Sequence, residues 1–484
     1  MRWRLDDVPD RFWTPRRASA FVWAQLGLWL ALAESLLPTH GHFCYDEAFF
    51  YDRSLRVARG GGLAADGPFV SGTTPRAFTP GGGVFDLYAP PFVFARDPRW
   101  GTAFVLLLSA AGVLLLDRAL ARLAASGRMR VAAATLATWS IFHARFSDRI
   151  WNVDAFLFAV PLLLWLSARL REAPARLGPW AFGWGAAAAL CLQIHLSGAV
   201  AVALCALVAA PGLARRGWLA PLGWAAGGGV ALYLPWIHAQ LPLHFAGLLA
   251  LRHGRPAGRL FGAGLARSLI VFAKFPSQAA RLRPERPPAG AAILSAPWLG
   301  FLTFWITAAL VPLGLALRSR WRAACLAGLV LAPLYLAASG RDYFDHYLIV
   351  GDAFYLLPAA AALGWLAGRG RLGAALVGLY LVGFALLGAR LLATEYGGDW
   401  RDWTIGEQLE IARHLADRGH PIAPVGPPLA TEESFVYETL ARDVLQRPLT
   451  FAPGGEPCEL GDAPRQAKAE WPVGGGKHWL SCGR

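Results

Sequence analysis

The sequence predicts an all-α polytopic membrane protein of about 11 transmembrane helices with a small C-terminal α/β appendage. Three observations carry this expectation. Of the 484 residues, 55% are hydrophobic and only 16% are charged, against roughly 25% in soluble proteins. Apolar runs of about twenty residues recur, each long enough to cross a ~30 Å hydrocarbon core. The period-two alternation of an outer-membrane barrel is missing, and backbone groups in lipid are otherwise satisfied only within helices.

The N-terminal leader MRWRLDDVPDRFWTPRR contains five arginines and precedes a first helix over 18–38. Ala31-Leu32-Ala33 resembles a signal-peptide cleavage site. The long charged leader and the acidic cluster that follows favour a retained helix instead. Further helices are expected at 101–120, 131–145, 153–170, 179–194, 197–213, 217–237, 293–317, 322–339, 347–367 and 372–391. Arginines fall on alternate connections: Arg118, Arg122, Arg128 and Arg130; Arg169, Arg171 and Arg176; Arg215 and Arg216; Arg318, Arg320 and Arg322; Arg369 and Arg371. The other connections carry few, which places the N-terminus in the cytoplasm and the C-terminus outside.

The formal net charge of +14 invites a nucleic-acid reading. That charge is nearly all arginine at the ends of apolar runs, with lysine only at positions 274, 468 and 477. Nucleic-acid binding needs a basic face on a folded polar domain, so no nucleic acid is expected as a partner.

This topology divides the chain into a transmembrane unit, 1–391, and a small extracytoplasmic unit, 392–484. The long outer segments are 39–100, 238–292 and 392–484, whereas every inner connection is short. An enzyme working at the outer leaflet needs room for such segments, and a carrier does not. No internal repeat favours the carrier.

Segment 238–292 carries Arg252, Arg255, Arg259, Arg267 and Lys274 among short apolar stretches. It reads as interfacial amphipathic helices, either covering a lipid tail or giving surface support. In the tail, DWTIGEQLEIARHLADRG predicts a helix capped near Thr404 and ended by Gly419. Cys458 and Cys482 bracket a polar stretch there and are able to pair if the tail faces an oxidising compartment. Cys191, Cys205 and Cys325 lie in apolar runs, as small buried hydrophobes do.

The first outer segment opens with HGHFCYDEAFFYD, residues 40–52. Asp52 and Asp66 read as solvated loop residues. Asp46 and Glu47 lie among Phe43, Tyr45, Phe49, Phe50 and Tyr51. Low local polarity raises a carboxylate's proton affinity, as a general base requires. His40 and His42 form an H-x-H pair, either joining Asp46 or Glu47 around a divalent metal or making interfacial hydrogen bonds.

YDEAFFYD just past the first helix resembles the Asp-Glu motif of GT-C glycosyltransferases. The likeness is to the group of bacterial protein O-mannosyltransferases and lipid A aminoarabinose transferases. ARFSDRIWNVDAFLFAVPLLLWL (144–166), LCLQIHLSGAV (190–200) and HYLIVGDAFYLLPAAAALGWL (346–366) resemble further segments of that group, in the same order. The resemblance implies a GT-C-like fold in the inner (cytoplasmic) membrane. It also implies transfer of a sugar from a polyprenyl-phosphate donor to a lipid, glycan or protein acceptor at the outer face.

Asp46 would then be the catalytic base, supported by Glu47 through hydrogen bonding or a metal. The leaving phosphate needs fixed cations, for which Arg145, Arg149, Arg341 and His346 are candidates. Each arginine reads equally as a snorkelling anchor. Asp148 and Asp154 are further substrate-binding candidates, since ionisable residues in spans are functional candidates by default. Asn152-Val153-Asp154 departs from the group's Asn-Pro-Ser. His195 is either a substrate contact or part of a packed polar turn. Membrane lipids are the remaining expected partners. The competing readings are a transporter or flippase for a lipid-linked glycan and a catalytically silent homologue.

Overall fold

The chain is described by a computed structural model covering residues 12–40, 43–70, 77–246, 297–317, 319–339, 349–394, 404–425, 429, 432–461, 467, 469–473 and 478–483. It is mostly helical. Helix α1 (Pro15–His40) leads into a segment built from α2 (Tyr45–Ala58), the antiparallel pair β1 (Asp66–Val70) and β2 (Ala77–Pro80), α3 (Gly83–Tyr88) and α4 (Pro90–Phe94). Then come α5 (Pro98–Arg122), α6 (Gly127–Thr138), α7 (Ile141–Phe146), a 3-10 turn (Asn152–Ala155) and α8 (Phe156–Arg171). The bundle continues with α9 (Leu177–Ile194), α10 (Gly198–Arg216), α11 (Leu219–Gln240), α12 (Pro297–Ala316), α13 (Arg322–Ser339), α14 (Asp352–Ala367) and α15 (Arg371–Thr394).

Six helices among the described residues are long and apolar enough to cross a membrane: Pro98–Arg122, Asn152–Arg171, Leu177–Ile194, Gly198–Arg215, Ile349–Ala367 and Arg371–Arg390. Their outward faces agree with that environment. Leu372, Leu376, Leu379, Val382 and Leu386 recur every three or four residues along α15, all exposed, Leu372 and Leu379 by 73% each. A continuous apolar stripe of this kind is rare on a soluble monomer.

The residues expected to form one helix over 131–145 are split. Helix α6 ends at Thr138, and Ser140 caps α7 by accepting the His143 backbone N–H at 3.2 Å. A serine hydroxyl competes for backbone donors and so starts helices readily. With 12 residues, α6 reaches only about 18 Å.

Close helix approach depends on small residues. Helix α5 lies along α8, where a Cβ on Gly112 would stand 1.9 Å from the Leu157 carbonyl oxygen. At the α9–α11 contact, a Cβ on Gly185 would meet the Ala225 carbonyl oxygen at 1.8 Å. Without a hydrophobic drive between helices in lipid, such backbone approach and buried polar bonds hold the bundle. The buried Arg130 guanidinium grips both Asp117 oxygens at 2.8 Å and donates to Ser19 Oγ at 2.7 Å. That grip ties α1, α5 and α6 together.

The C-terminal elements are α16 (Ile405–Ala416), β3 (Ile422–Val425), α17 (Glu432–Thr439) running into a π turn (Leu440–Leu445), and strands β4 (Glu456–Gly461), β5 (Ala469–Val473) and β6 (His478–Cys482). Thr404 and Glu407 form a capping box at the start of α16, the arrangement that satisfies two orphan donors at once. The sheet order is β3-β4-β6-β5, with β3 and β4 parallel and the other pairs antiparallel. Cys458 and Cys482 face each other across β4 and β6 and form a disulfide. These elements also touch α2: Tyr45 packs on Phe435 at 5.6 Å, and Arg442 donates to Asp52 at 2.7 Å.

Candidate active site

Helix α2 begins where Cys44 turns extended and the Glu47 carboxylate folds back. One Glu47 oxygen accepts the Cys44 backbone N–H at 3.1 Å and its thiol at 2.8 Å. Two acids in the first turn also suit the positive end of the helix dipole. Consecutive helical residues point about 100° apart, and the structure separates this pair accordingly. Glu47 is 1% exposed, whereas Asp46 stands exposed.

The aromatic neighbours anchor α2 rather than enclose Asp46. Phe49 and Phe50 pack on Phe85 of α3 at 5.7 and 5.2 Å, and Tyr51 packs on Phe92 of α4 at 5.1 Å. The Tyr51 hydroxyl donates to the Arg96 carbonyl. The low-polarity setting expected around both acids therefore surrounds Glu47 alone. Asp52 corrects another expectation: it is buried, not solvated, and pairs with Arg56 at 3.0 Å and with Arg442 at 2.7 Å. Asp66 is exposed, as expected of a solvated residue. Asp86 accepts the Ala64 N–H at 3.0 Å. Burial pushes its carboxyl above the usual range, and that hydrogen bond opposes the shift.

The second group comes from the turn between α7 and α8. Asp148, Arg149, Asn152 and Asp154 are all buried there. An Arg149 nitrogen lies 4.0 Å from Glu47 Oε1, and its guanidinium stands 5.9 Å from the Phe146 ring centre. Glu47, Asp148 and Arg149 all act electrostatically on Asp154, whose two carboxylate oxygens lack a hydrogen-bond partner among the described residues. Tyr88 of α3 closes the cluster, donating to the Trp151 carbonyl at 2.8 Å and sensing the Asp154 charge. Three carboxylates around one guanidinium, out of water, form the kind of charge cluster that marks functional sites.

The third turn, after α9, adjoins this cluster. Asn152 donates its side-chain N–H to the Ile194 carbonyl at 3.0 Å, and Gln193 accepts the Gly83 N–H at 2.9 Å. Gly81 takes a positive φ of 84° beside Gln193, a conformation and closeness that favour glycine. The His195 ring is turned to its own loop: Nδ1 accepts the Ser197 backbone N–H at 3.1 Å and lies 2.9 Å from Ser197 Oγ.

Of the residues singled out from sequence, Glu47, Asp148, Arg149 and Asp154 come together, with Asp46 at the rim and His195 one turn away. Arg145 lies on α7 and His40 ends α1. His42, Arg341 and His346 lie outside the described residues. The sequence does not mark out Tyr88 or Gln193, and Asn152 stands out only as part of Asn152-Val153-Asp154. An Asn-x-Asp turn and a Gln just before a histidine turn were the only signals they gave. As for a metal, the one described triple of ligand atoms within 4.8 Å is Glu456, Cys458 and Cys482. Its two cysteines are bonded to each other. Among the described residues no three ligand atoms of the acidic cluster lie that close together; the side chains of His40 and His42 are outside the described part.

No family model and no curated protein matches this chain. Solved structures do. ArnT from Cupriavidus metallidurans in the apo state matches with a TM-score of 0.55 at 13% identity, covering 96% of this chain and 97% of that one. The same protein bound to undecaprenyl phosphate gives 0.57, with the same identity and coverage. The Archaeoglobus fulgidus oligosaccharyltransferase gives 0.49 at 15% identity, over 89% of this chain and 62% of that one. This chain has the fold of the GT-C glycosyltransferases. ArnT is a lipid A aminoarabinose transferase of that fold.

Proposed function

We propose that this chain is a membrane glycosyltransferase. It takes a sugar from a polyprenyl-phosphate donor and gives it to a lipid, glycan or protein acceptor at the outer face of the cytoplasmic membrane. The observation that carries this reading is the convergence of the first turn of α2 with the buried Asp148-Arg149-Asp154 turn at one end of an apolar GT-C bundle. The undecaprenyl phosphate held by ArnT supplies the donor class.

In this reading the acceptor hydroxyl attacks the anomeric carbon. The new carbon–oxygen bond forms as the bond from that carbon to the phosphate oxygen breaks. The hydroxyl proton passes to Asp46, exposed where an acceptor arrives, and the bonding electrons leave with the phosphate. Arg149, positioned by Glu47, faces the charge that grows on the phosphate, with Arg145, Arg341 and His346 as further cations. Asp148, Asp154 and His195 line the substrate side.

The full topology proposed is eleven spans, an inner N-terminus, a transmembrane unit over 1–391 and an extracytoplasmic unit over 392–484. The arginine distribution supports it. So does the Cys458–Cys482 disulfide, because such bonds persist in oxidising compartments. The Arg442–Asp52 bond, which joins the C-terminal elements to α2, supports putting both on the same side of the membrane.

Transfer from a panel of radiolabelled polyprenyl-phosphate sugars, measured in native membranes, tests the proposal. Wild type is expected to transfer one of them, and Asp46→Asn to lose transfer while inserting and expressing normally. Retained transfer by Asp46→Asn overturns the base assignment. Absence of transfer from every donor, with lipid-linked glycan still moved across the membrane, favours a carrier.

A further inference from the structure

Helix α8 and its leading 3-10 turn run for 20 residues away from the candidate site, about 30 Å. At that far end lies a cavity of about 330 Å³, lined by Arg122, Ala168, Arg171, Glu172, Arg215 and Arg320. Its cations come from four places: the ends of α5, α8 and α10, and the turn joining α12 to α13.

The charges in it do not balance. Glu172 is engaged by Arg122 at 2.9 Å and by Arg169 at 3.3 Å. Arg171 donates to the Val208 carbonyl at 3.0 Å, which neutralises nothing. Among the described residues, Arg215 and Arg320 have no carboxylate partner, and both act on Arg171 as like charges. An arginine that only fixes topology needs to lie on the inner side and no more. Four of them drawn into one cavity repel one another, and that arrangement is favourable when an anion fills the space. Guanidinium forks match phosphate oxygens in geometry and charge. Basic pockets between helices at the bilayer surface are where phosphate headgroups lodge.

We propose that this cavity is a second ligand site, specific for a phosphate-bearing anion and separate from the glycosyl-transfer site. Arg171, Arg215 and Arg320 hold the phosphate, and the Arg122–Glu172 pair forms the wall opposite. The phosphate belongs either to an anionic phospholipid headgroup or to a soluble phosphate.

The test uses the full chain in nanodiscs of neutral phosphatidylcholine, titrated with inorganic phosphate, and in matched discs doped with cardiolipin. Binding is read by native mass spectrometry and by the shift in thermal midpoint. The double variant Arg215→Gln/Arg320→Gln is expected to bind roughly 30-fold more weakly. The control Arg118→Gln/Arg371→Gln, which removes the same charge outside the cavity, is expected to bind as wild type does. Saturation by phosphate in neutral discs identifies a soluble ligand; binding only in cardiolipin discs identifies the lipid headgroup. If the double variant is poorly produced, Arg215→Gln alone, at an exposed position, is read in the same assay. Equal binding by wild type and cavity variant, or equal loss in the control, overturns the proposal. Neither result bears on Asp46.

Discussion

Arg149 reaches Glu47 across 4.0 Å at the N-terminal end of α2, and both side chains are withdrawn from solvent. The two acids of the Asp-Glu pair thus face different worlds. Glu47 organises the helix start, while Asp46 is presented outward.

That division predicts opposite phenotypes. Glu47→Gln weakens the charged hydrogen bonds to Cys44 and leaves the Arg149 charge with less compensation, costing about 1–3 kcal/mol of stability. Asp46→Asn, at an exposed position, is expected to cost less than about 0.5 kcal/mol. Thermal unfolding of purified variants checks this, and a destabilisation by Asp46→Asn as large as that by Glu47→Gln would contradict it. A double-mutant cycle with Arg149→Gln should return a coupling of about 0.5–3 kcal/mol.

The buried Asp117–Arg130 pair makes a second prediction. Removing one partner strands the other charge, so Asp117→Asn should cost about 3–5 kcal/mol. Replacing both, as Asp117→Leu with Arg130→Met, should recover much of that loss, because two apolar groups strand nothing. The yield of monodisperse protein after mild heating compares the three chains.

The sheet near the C-terminus should depend on its disulfide. Alkylation without reduction is expected to leave Cys458 and Cys482 unmodified, and reduction to expose both. Cys458→Ser with Cys482→Ser should destabilise this region by about 2–4 kcal/mol. Limited proteolysis, with peptides identified by mass, reads that change locally.

His414 gives a pH dependence. Its ring stacks on Trp471 at 5.1 Å. Burial lowers its proton affinity, Glu410 opposes that and Arg413 adds to it. The folded state therefore prefers neutral imidazole. This contribution is whole above the ordinary histidine value, about 6.5, and is lost as the pH falls below it. Acidification should loosen the contact of α16 with β5 and lower amide protection there, taken relative to the intrinsic exchange rate at each pH. His414→Phe should remove that dependence.

Much of the helix layout is legible because residues of known habit punctuate it. The expected helix at 101–120 is α5, begun by Asp97, which accepts the Arg99 N–H, and by Pro98 at the first helical position. The helix expected at 372–391 is α15, opened by Arg371. The break at Ser140 was not legible, since one serine in an apolar run is an ordinary helix residue until a cap forms. The Asp-Glu pair stood out from its neighbours, but the inward direction of Glu47 depends on Phe85 and Phe92, which fix how α2 rolls. Asp52 departs from the solvated reading for a similar reason. Its ring of solvent was inferred from nearby sequence, while the partner that buries it, Arg442, lies 390 residues on.

That separation has a consequence in time. At synthesis rates of about 5–20 residues per second, Asp52 waits on the order of 20–80 s for Arg442 to be made. The first turn of α2 is among the earliest parts of the molecule to emerge, yet its outer edge is among the last to be closed. During that interval a carboxylate destined for burial stays wet, and α2 is held by its aromatic face and by Arg149 at Glu47. A ribosome that stalls between the two leaves a nascent chain whose membrane bundle is largely made and whose α2 rim is unfinished.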